Sequence, residues 1–283
     1  MRGIIFVLTL LAAGAATAAP LTEWSKAKDG EPKTYHLGGY TLTFTTAGTD
    51  DADMSATVLT AAAPGAKSGV LRGEPGMNGS AAYFGIARID PRNPDPVILM
   101  STYTGGAHCC DAVKLLERAG AGWRVVDIGM WDGDVLSDMP KDVDGDGVID
   151  FVLNDNAFLY AFSSYAGSFP PPKILNVVDG KVIDVSKAPR YRKLFLAHME
   201  AAKKDCAGHD NGACAGYVAS AARAGLHKRA WAFMLAHYDL HSSQWPTRCK
   251  GKWVDGDCKG AERKPKDFPQ ALSWFLADTG YTP

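Results

Sequence analysis

Beyond its first residues this sequence lacks any run approaching the ~20 consecutive apolar residues that a membrane-crossing helix needs. It also lacks charge of one sign. The formal net charge is −1, so nucleic-acid binding, which requires a basic face, is not expected. A modestly basic stretch between Arg248 and Lys266 interrupts that balance and reads as a solvated loop. Missing too is the Glu of a His-Glu-x-x-His metalloprotease, because Tyr238 follows His237. No phosphate-cradling Gly loop, Ser-His-Asp triad or glycosidase carboxylate pair can be assigned.

What is present starts with Met1-Arg2, an uncharged run from Ile4 to Ala13, and small residues up to Ala19. That is the anatomy of a secretory signal peptide, too short to span a bilayer. Ala16-Thr17-Ala18 places the cut after Ala18, so a periplasmic or secreted chain with no membrane span after signal removal is expected. Apolar residues make up 46% and charged residues 22%, close to the globular average, so a packed core should form. Six cysteines in an exported chain are expected to be oxidised. Short spacings make Cys206 with Cys214 and Cys249 with Cys258 the economical pairs. Cys109 and Cys110 are left for each other, with a long bridge into the C-terminal half as the alternative.

From Tyr35 to about Val185 the chain reads as short strands broken by turn residues. Thr41-Leu42-Thr43-Phe44-Thr45 alternates polar with apolar, and Ala82 to Ile89, Val97 to Tyr103, Val113 to Leu116, Trp123 to Ile128, Phe151 to Leu153 and Ile174 to Val178 have strand length. Asp179-Gly180 is a two-residue hairpin signal. A weak internal repeat lays Asp90 to Leu99 over Asp144 to Leu153, a spacing that suits propeller blades. After Ser186 the period changes to helical. Helices are predicted from Pro189 to Lys204 and from Ala213 to Ala224; a third buries Trp231, Met234, Leu235 and Tyr238, and a last one is capped by Asp267. The expected fold is α+β: a signal peptide over 1–18, an all-β region over 19–185 (blade-like meander, partial propeller or small sandwich), and a small disulfide-bearing helical region over 186–283.

The sharpest motif is Asp142-Val143-Asp144-Gly145-Asp146-Gly147-Val148-Ile149-Asp150. Carboxylates at positions one, three, five and nine, a Gly at six and a carbonyl at seven are what calcium requires. An EF-hand is excluded, since position twelve is Leu153 rather than Glu and the flanks look like loop and strand. The spacing, followed by an apolar strand, resembles the calcium loops of FG-GAP or VCBS-type repeats, known from integrin alpha chains and many secreted bacterial proteins. The resemblance implies a structural calcium held by the side chains of Asp142, Asp144, Asp146 and Asp150 and the carbonyl of Val148.

Two further constellations invite chemistry. His108 precedes Cys109 and Cys110, the minimum for a thiolate nucleophile, while His237 and His241 stand four apart on a predicted helix, a zinc-capable spacing with Cys249 and Cys258 downstream. The sequence therefore supports an exported, calcium-stabilised binding or structural module with a protein or glycan ligand. The competing expectation is an exported hydrolase or thiol enzyme using His108 with Cys109 or Cys110, or a metal site at His237 and His241.

Overall fold

A computed structural model describes residues 20–77, 81–133, 136–242, 245–254 and 257–282. The signal-peptide segment 1–18 lies outside the described residues. The chain is α+β, with an antiparallel β region followed by helices. Among the described residues thirteen strands build the β region: β1 (Thr22–Trp24), β2 (Lys33–Leu37), β3 (Tyr40–Gly48), β4 (Met54–Ala62), β5 (Gly69–Arg72), β6 (Gly76–Met77), β7 (Ala82–Ala87), β8 (Val97–Tyr103), β9 (Asp111–Ala119), β10 (Gly122–Trp131), β11 (Phe151–Asn154), β12 (Pro172–Val178) and β13 (Lys181–Asp184). They form three sheets, ordered β2-β3-β4-β5, β1-β7-β8-β9-β10 and β11-β12-β13, with β6 added on β4.

Side-chain periodicity stacks these sheets in series. In β3 the alternation turns Tyr40, Leu42 and Phe44 inward against Phe84, Ile98 and Met100 of the second sheet. The opposite face of that second sheet presents Val97, Leu99, Val113 and Leu115 to Phe151, Leu175 and Val177 of the third. β8 is consequently buried on both faces from Val97 to Thr102, which is why it reads as a nearly continuous apolar run. The third sheet's other face sets Ile174 against Tyr191 and Phe195 of the helical region. The stack is open, ending in a partly exposed first sheet and a helical cap. At the β12–β13 turn, Asp179 (φ 50°) and Gly180 (φ 69°) adopt the two left-handed conformations that their sequence signalled.

The helices are α1 (Lys26–Asp29), α2 (Arg192–Ala207), α3 (Asn211–Arg223), α4 (His227–His237) and α5 (Phe268–Asp278). Asp267 caps α5 by accepting from Gln270 N–H at 2.8 Å. Cys206–Cys214 ties α2 to α3, Cys249–Cys258 ties two short strands ahead of α5, and Cys109 and Cys110 are bonded to each other. The buried face of α4 corrects one expectation. Ala230 and Met234 are buried against α2 and α3, but Leu235 is half exposed. α3 itself docks through Gly212 and Gly216: a Cβ there would stand 2.1 Å from the Gly167 carbonyl oxygen and 2.0 Å from that of Phe169. Glycine is what permits this approach.

Between α2 and α3, His198 Nδ1 lies 2.7 Å from the Ser220 hydroxyl, itself fully buried. Burial lowers the His198 pKa to about 4, with the Pro170 carbonyl opposing. The folded state therefore holds fewer protons than the unfolded chain between pH ~6.5 and ~4, so this stability is present at neutral pH and lost as pH falls through that window. We expect thermal midpoints to fall from pH 7 to 4.5, with up to about 2 kcal/mol of that loss assignable to this ring. His198→Gln should flatten that part of the curve; an unchanged slope would refute the assignment.

Candidate functional site

The segment joining β10 to β11 is shaped by its own carboxylates. Asp142 accepts from Gly145 N–H through Oδ1 at 2.7 Å and from Gly147 N–H through Oδ2 at 2.8 Å. Asp144 Oδ1 accepts from Asp146 N–H at 3.0 Å, and Asp146 Oδ1 accepts from Val148 N–H at 2.8 Å. These bonds curl the backbone so that ligand oxygens of Asp142, Asp144 and Asp146 lie within 4.8 Å of one another. For Asp142, burial is the largest influence and raises the pKa, but the backbone N–H groups of Gly147, Gly145, Asp146 and Asp144 together hold it below the usual carboxylate range.

Asp150, also expected as a ligand, lies outside that cluster. It is 1% exposed, and both its oxygens are engaged by protein donors. Oδ2 accepts from Val143 N–H at 2.9 Å; Oδ1 accepts from Asn176 Nδ2 at 2.7 Å and from the Tyr191 hydroxyl at 2.5 Å. It anchors the loop to β12 and to the start of the helical region. Val148 buries its side chain at the loop's exit. Its neighbour Ile149 donates its N–H to the Ile89 carbonyl at 2.9 Å. The degenerate copy at Asp90 packs alongside: Arg92 fills the Asp90 carboxylate with its own guanidinium, at 2.8 Å from both Nε and Nη2.

Arg190 supplies a cation to the loop. Its Nε contacts Asp144 Oδ2, and its Nη2 lies 3.3 Å from Asp146 Oδ2. The Asp144 side chain is 1% exposed, and Arg190 is the charged partner of its Oδ2. Three carboxylates against one guanidinium leave a formal charge of −2 in the cluster. An all-oxygen set with a formal charge of −2 left after the Arg190 contact fits a hard divalent cation. Such an ion would neutralise the repulsion among these carboxylates.

A second cluster surrounds His108. Its Nδ1 lies 2.7 Å from Asp132 Oδ1, its Nε2 lies 2.7 Å from the Tyr160 hydroxyl, and its ring stacks on Tyr165 with centroids 3.7 Å apart. Asp132, an acceptor, fixes the proton on Nδ1, so Nε2 accepts from Tyr160. This order can pass a proton between Tyr160 and the ring. It contains no thiol: Cys109 and Cys110 are joined in a disulfide, which removes the nucleophile of the thiol-enzyme reading. The partners of His108 stand 24 and 52 residues away, and no local pattern marks them.

The zinc reading of His237 and His241 also fails on geometry. α4 ends at His237, so His241 lies beyond the helix and the i, i+4 face is lost. His237 instead holds the Phe233 carbonyl at 2.8 Å and stacks on its ring, while Cys249 and Cys258 are consumed by their bridge. Among the described residues no group of three or more potential metal ligands includes a His.

Fold and site define an α+β chain in which a carboxylate loop leads into the last of three stacked sheets and is clasped by the helical region. Its C-terminal part, residues 192–280, matches the family described as sll0997 C-terminal domain. The chain is similar to a "Probable thylakoid lumen protein sll0997" of Synechocystis sp., at 36% identity over 71% of this chain and 60% of that protein. It is also similar to "Uncharacterized protein y4bJ" of Sinorhizobium fredii, at 29% identity over 93% of this chain and 42% of that protein. The chain thus spans roughly half the length of these curated relatives. No solved structure matches it. No helix among the described residues is long and apolar enough to cross a membrane.

Proposed function

We propose that the chain is a non-enzymatic binding or structural module of an exported, periplasmic or lumen-type compartment, in which calcium at Asp142, Asp144 and Asp146 stabilises the entry of β11 into the third sheet. The convergence of the three carboxylates carries this reading. Paired cysteines and the lumenal description of the Synechocystis relative support the compartment. The resemblance of the loop to FG-GAP or VCBS-type repeats remains part of the proposal, as a single such loop on one blade-like sheet. Arg190 would stay beside the ion as a partial counter-charge.

Extracellular calcium modules bind with dissociation constants of about 0.1–1 mM. At calcium tenfold above that constant, the native state gains about 1.4 kcal/mol. Chelation should lower the thermal midpoint by a few degrees, calcium should restore it and magnesium should do so poorly. Asp146→Ala should fold and lose the calcium response. Equal midpoints with calcium and with chelator, together with no calorimetric binding at millimolar calcium, would refute the assignment.

A further inference from the structure

The basic stretch from Arg248 to Lys266, which reads from sequence as a solvated loop, is folded. Arg248–Cys249 pairs with Glu262–Arg263, Lys252–Val254 pairs with Asp257–Lys259, and the Cys249–Cys258 disulfide pins the two together. Seven Lys or Arg stand there against three Asp or Glu. Two cavities of about 480 and 410 Å³ adjoin this unit and share Pro246 and Thr247 as a common wall. The first is completed by Tyr160, Trp245 and Lys264, the second by Trp253 and Trp274.

Two observations give this face a ligand chemistry. Trp253 and Tyr160 are 52% and 57% exposed, an unusual outlay of large aromatic surface. Among them stand four cations. Lys250, Lys252 and Lys264 have no ion-pair partner among the described residues, and the Arg263 guanidinium lies 5.3 Å from the Trp274 ring centroid. Of the described acids nearby, Asp278 pairs with Arg248 at 2.6 Å, Asp257 with Lys259 at 3.2 Å, and Glu262 accepts from the Thr247 hydroxyl. Flat apolar ring faces beside free positive charge, in two adjoining concavities, match a linear polymer whose units have an apolar face and an acid group.

We propose that this face binds a uronic-acid polysaccharide, with sugar rings stacking on Trp253 and Tyr160 and carboxylates meeting Lys264 and Arg263. The inference rests on the binding-module part of the proposed function and is independent of the calcium loop. Its concavity favours a sugar chain over an anionic membrane, which would meet a broad outward surface.

The test is calorimetry on the whole protein, at fixed calcium, with tetragalacturonate, with maltotetraose, and with phosphatidylglycerol vesicles. The acidic tetrasaccharide should bind at least about tenfold more tightly than the neutral one, a difference of ~1.4 kcal/mol. Lys264→Gln with Arg263→Gln should abolish that preference, and Trp253→Ala should weaken both sugars; each variant is checked for native circular dichroism. Asp146→Ala should bind the acidic sugar as wild type does, so loss of the calcium response and loss of sugar binding are read separately. No heat with tetragalacturonate at about 10 mM, equal affinity for both sugars, or capture of vesicles without sugar binding would overturn the proposal.

Discussion

Asp150→Ala is expected to remove about 3–5 kcal/mol of stability, the cost typical of leaving several buried donors without their shared acceptor. Val143 N–H, Asn176 Nδ2 and the Tyr191 hydroxyl all converge on this one carboxylate, which is 1% exposed. Water has poor access to Asn176 and Tyr191, so their lost bonds are not replaced. In a chain of this size the midpoint should fall by roughly ten degrees. Asp150→Asn retains an acceptor for Asn176 and Tyr191 and should cost less. In the double variant Asp150→Ala/Tyr191→Phe, part of the loss should return, because one orphaned hydroxyl is gone. Urea unfolding of the four proteins measures this. A loss below about 1 kcal/mol for Asp150→Ala would mean that the residue is an ordinary surface acid.

The second large effect concerns Cys206–Cys214. Both sulfurs are fully buried between α2 and α3, and the bridge spans a sequence separation of 8. Constraining so short a loop in the unfolded chain contributes about 2.5 kcal/mol in the chain-entropy view. Cys206→Ala/Cys214→Ala should lose that amount, and reducing agent should melt the helical circular dichroism before the β signal. The Cys249–Cys258 bridge has nearly the same loop length but ties strands at the surface, so its removal should be felt in those strands and spare the helices. If reduction leaves the helical midpoint unchanged, the helical core stands without its bridge.

Much of the architecture was legible because it depends on neighbours in the chain. Alternation in Thr41–Thr45, the buried run of β8, the Asp179-Gly180 turn and the Asp267 cap are all local, and each is found in the structure. The Asp-rich loop was legible for the same reason, since Asp142, Asp144 and Asp146 need only their own backbone to converge. What sequence spacing could not supply is which distant groups claim a side chain first. Asp150 occupies a ligand position in the motif, yet its lone pairs go to Asn176 and Tyr191, 26 and 41 residues away. Arg190 enters the loop from the start of the helical region, 46 and 44 residues after Asp144 and Asp146. His237 and His241 show the complementary failure, in which a spacing valid only inside a helix is applied where the helix has ended. Leu235 fits the periodic template but is left half exposed.

The serial order of the sheets bears on how such a chain can assemble when it emerges N-terminus first. Each sheet is drawn almost entirely from consecutive strands, with β1 the one early strand that waits for a later partner, β7. Few long loops must close before a layer can form, which favours rapid, stepwise growth. Every completed layer then offers a finished apolar face to the next, and the second sheet remains uncovered on one side until β11 and β12 arrive. The vulnerable interval is therefore late and brief. It ends when Asp150, still without a phenol to bind, meets Tyr191 and the helices close over the last sheet.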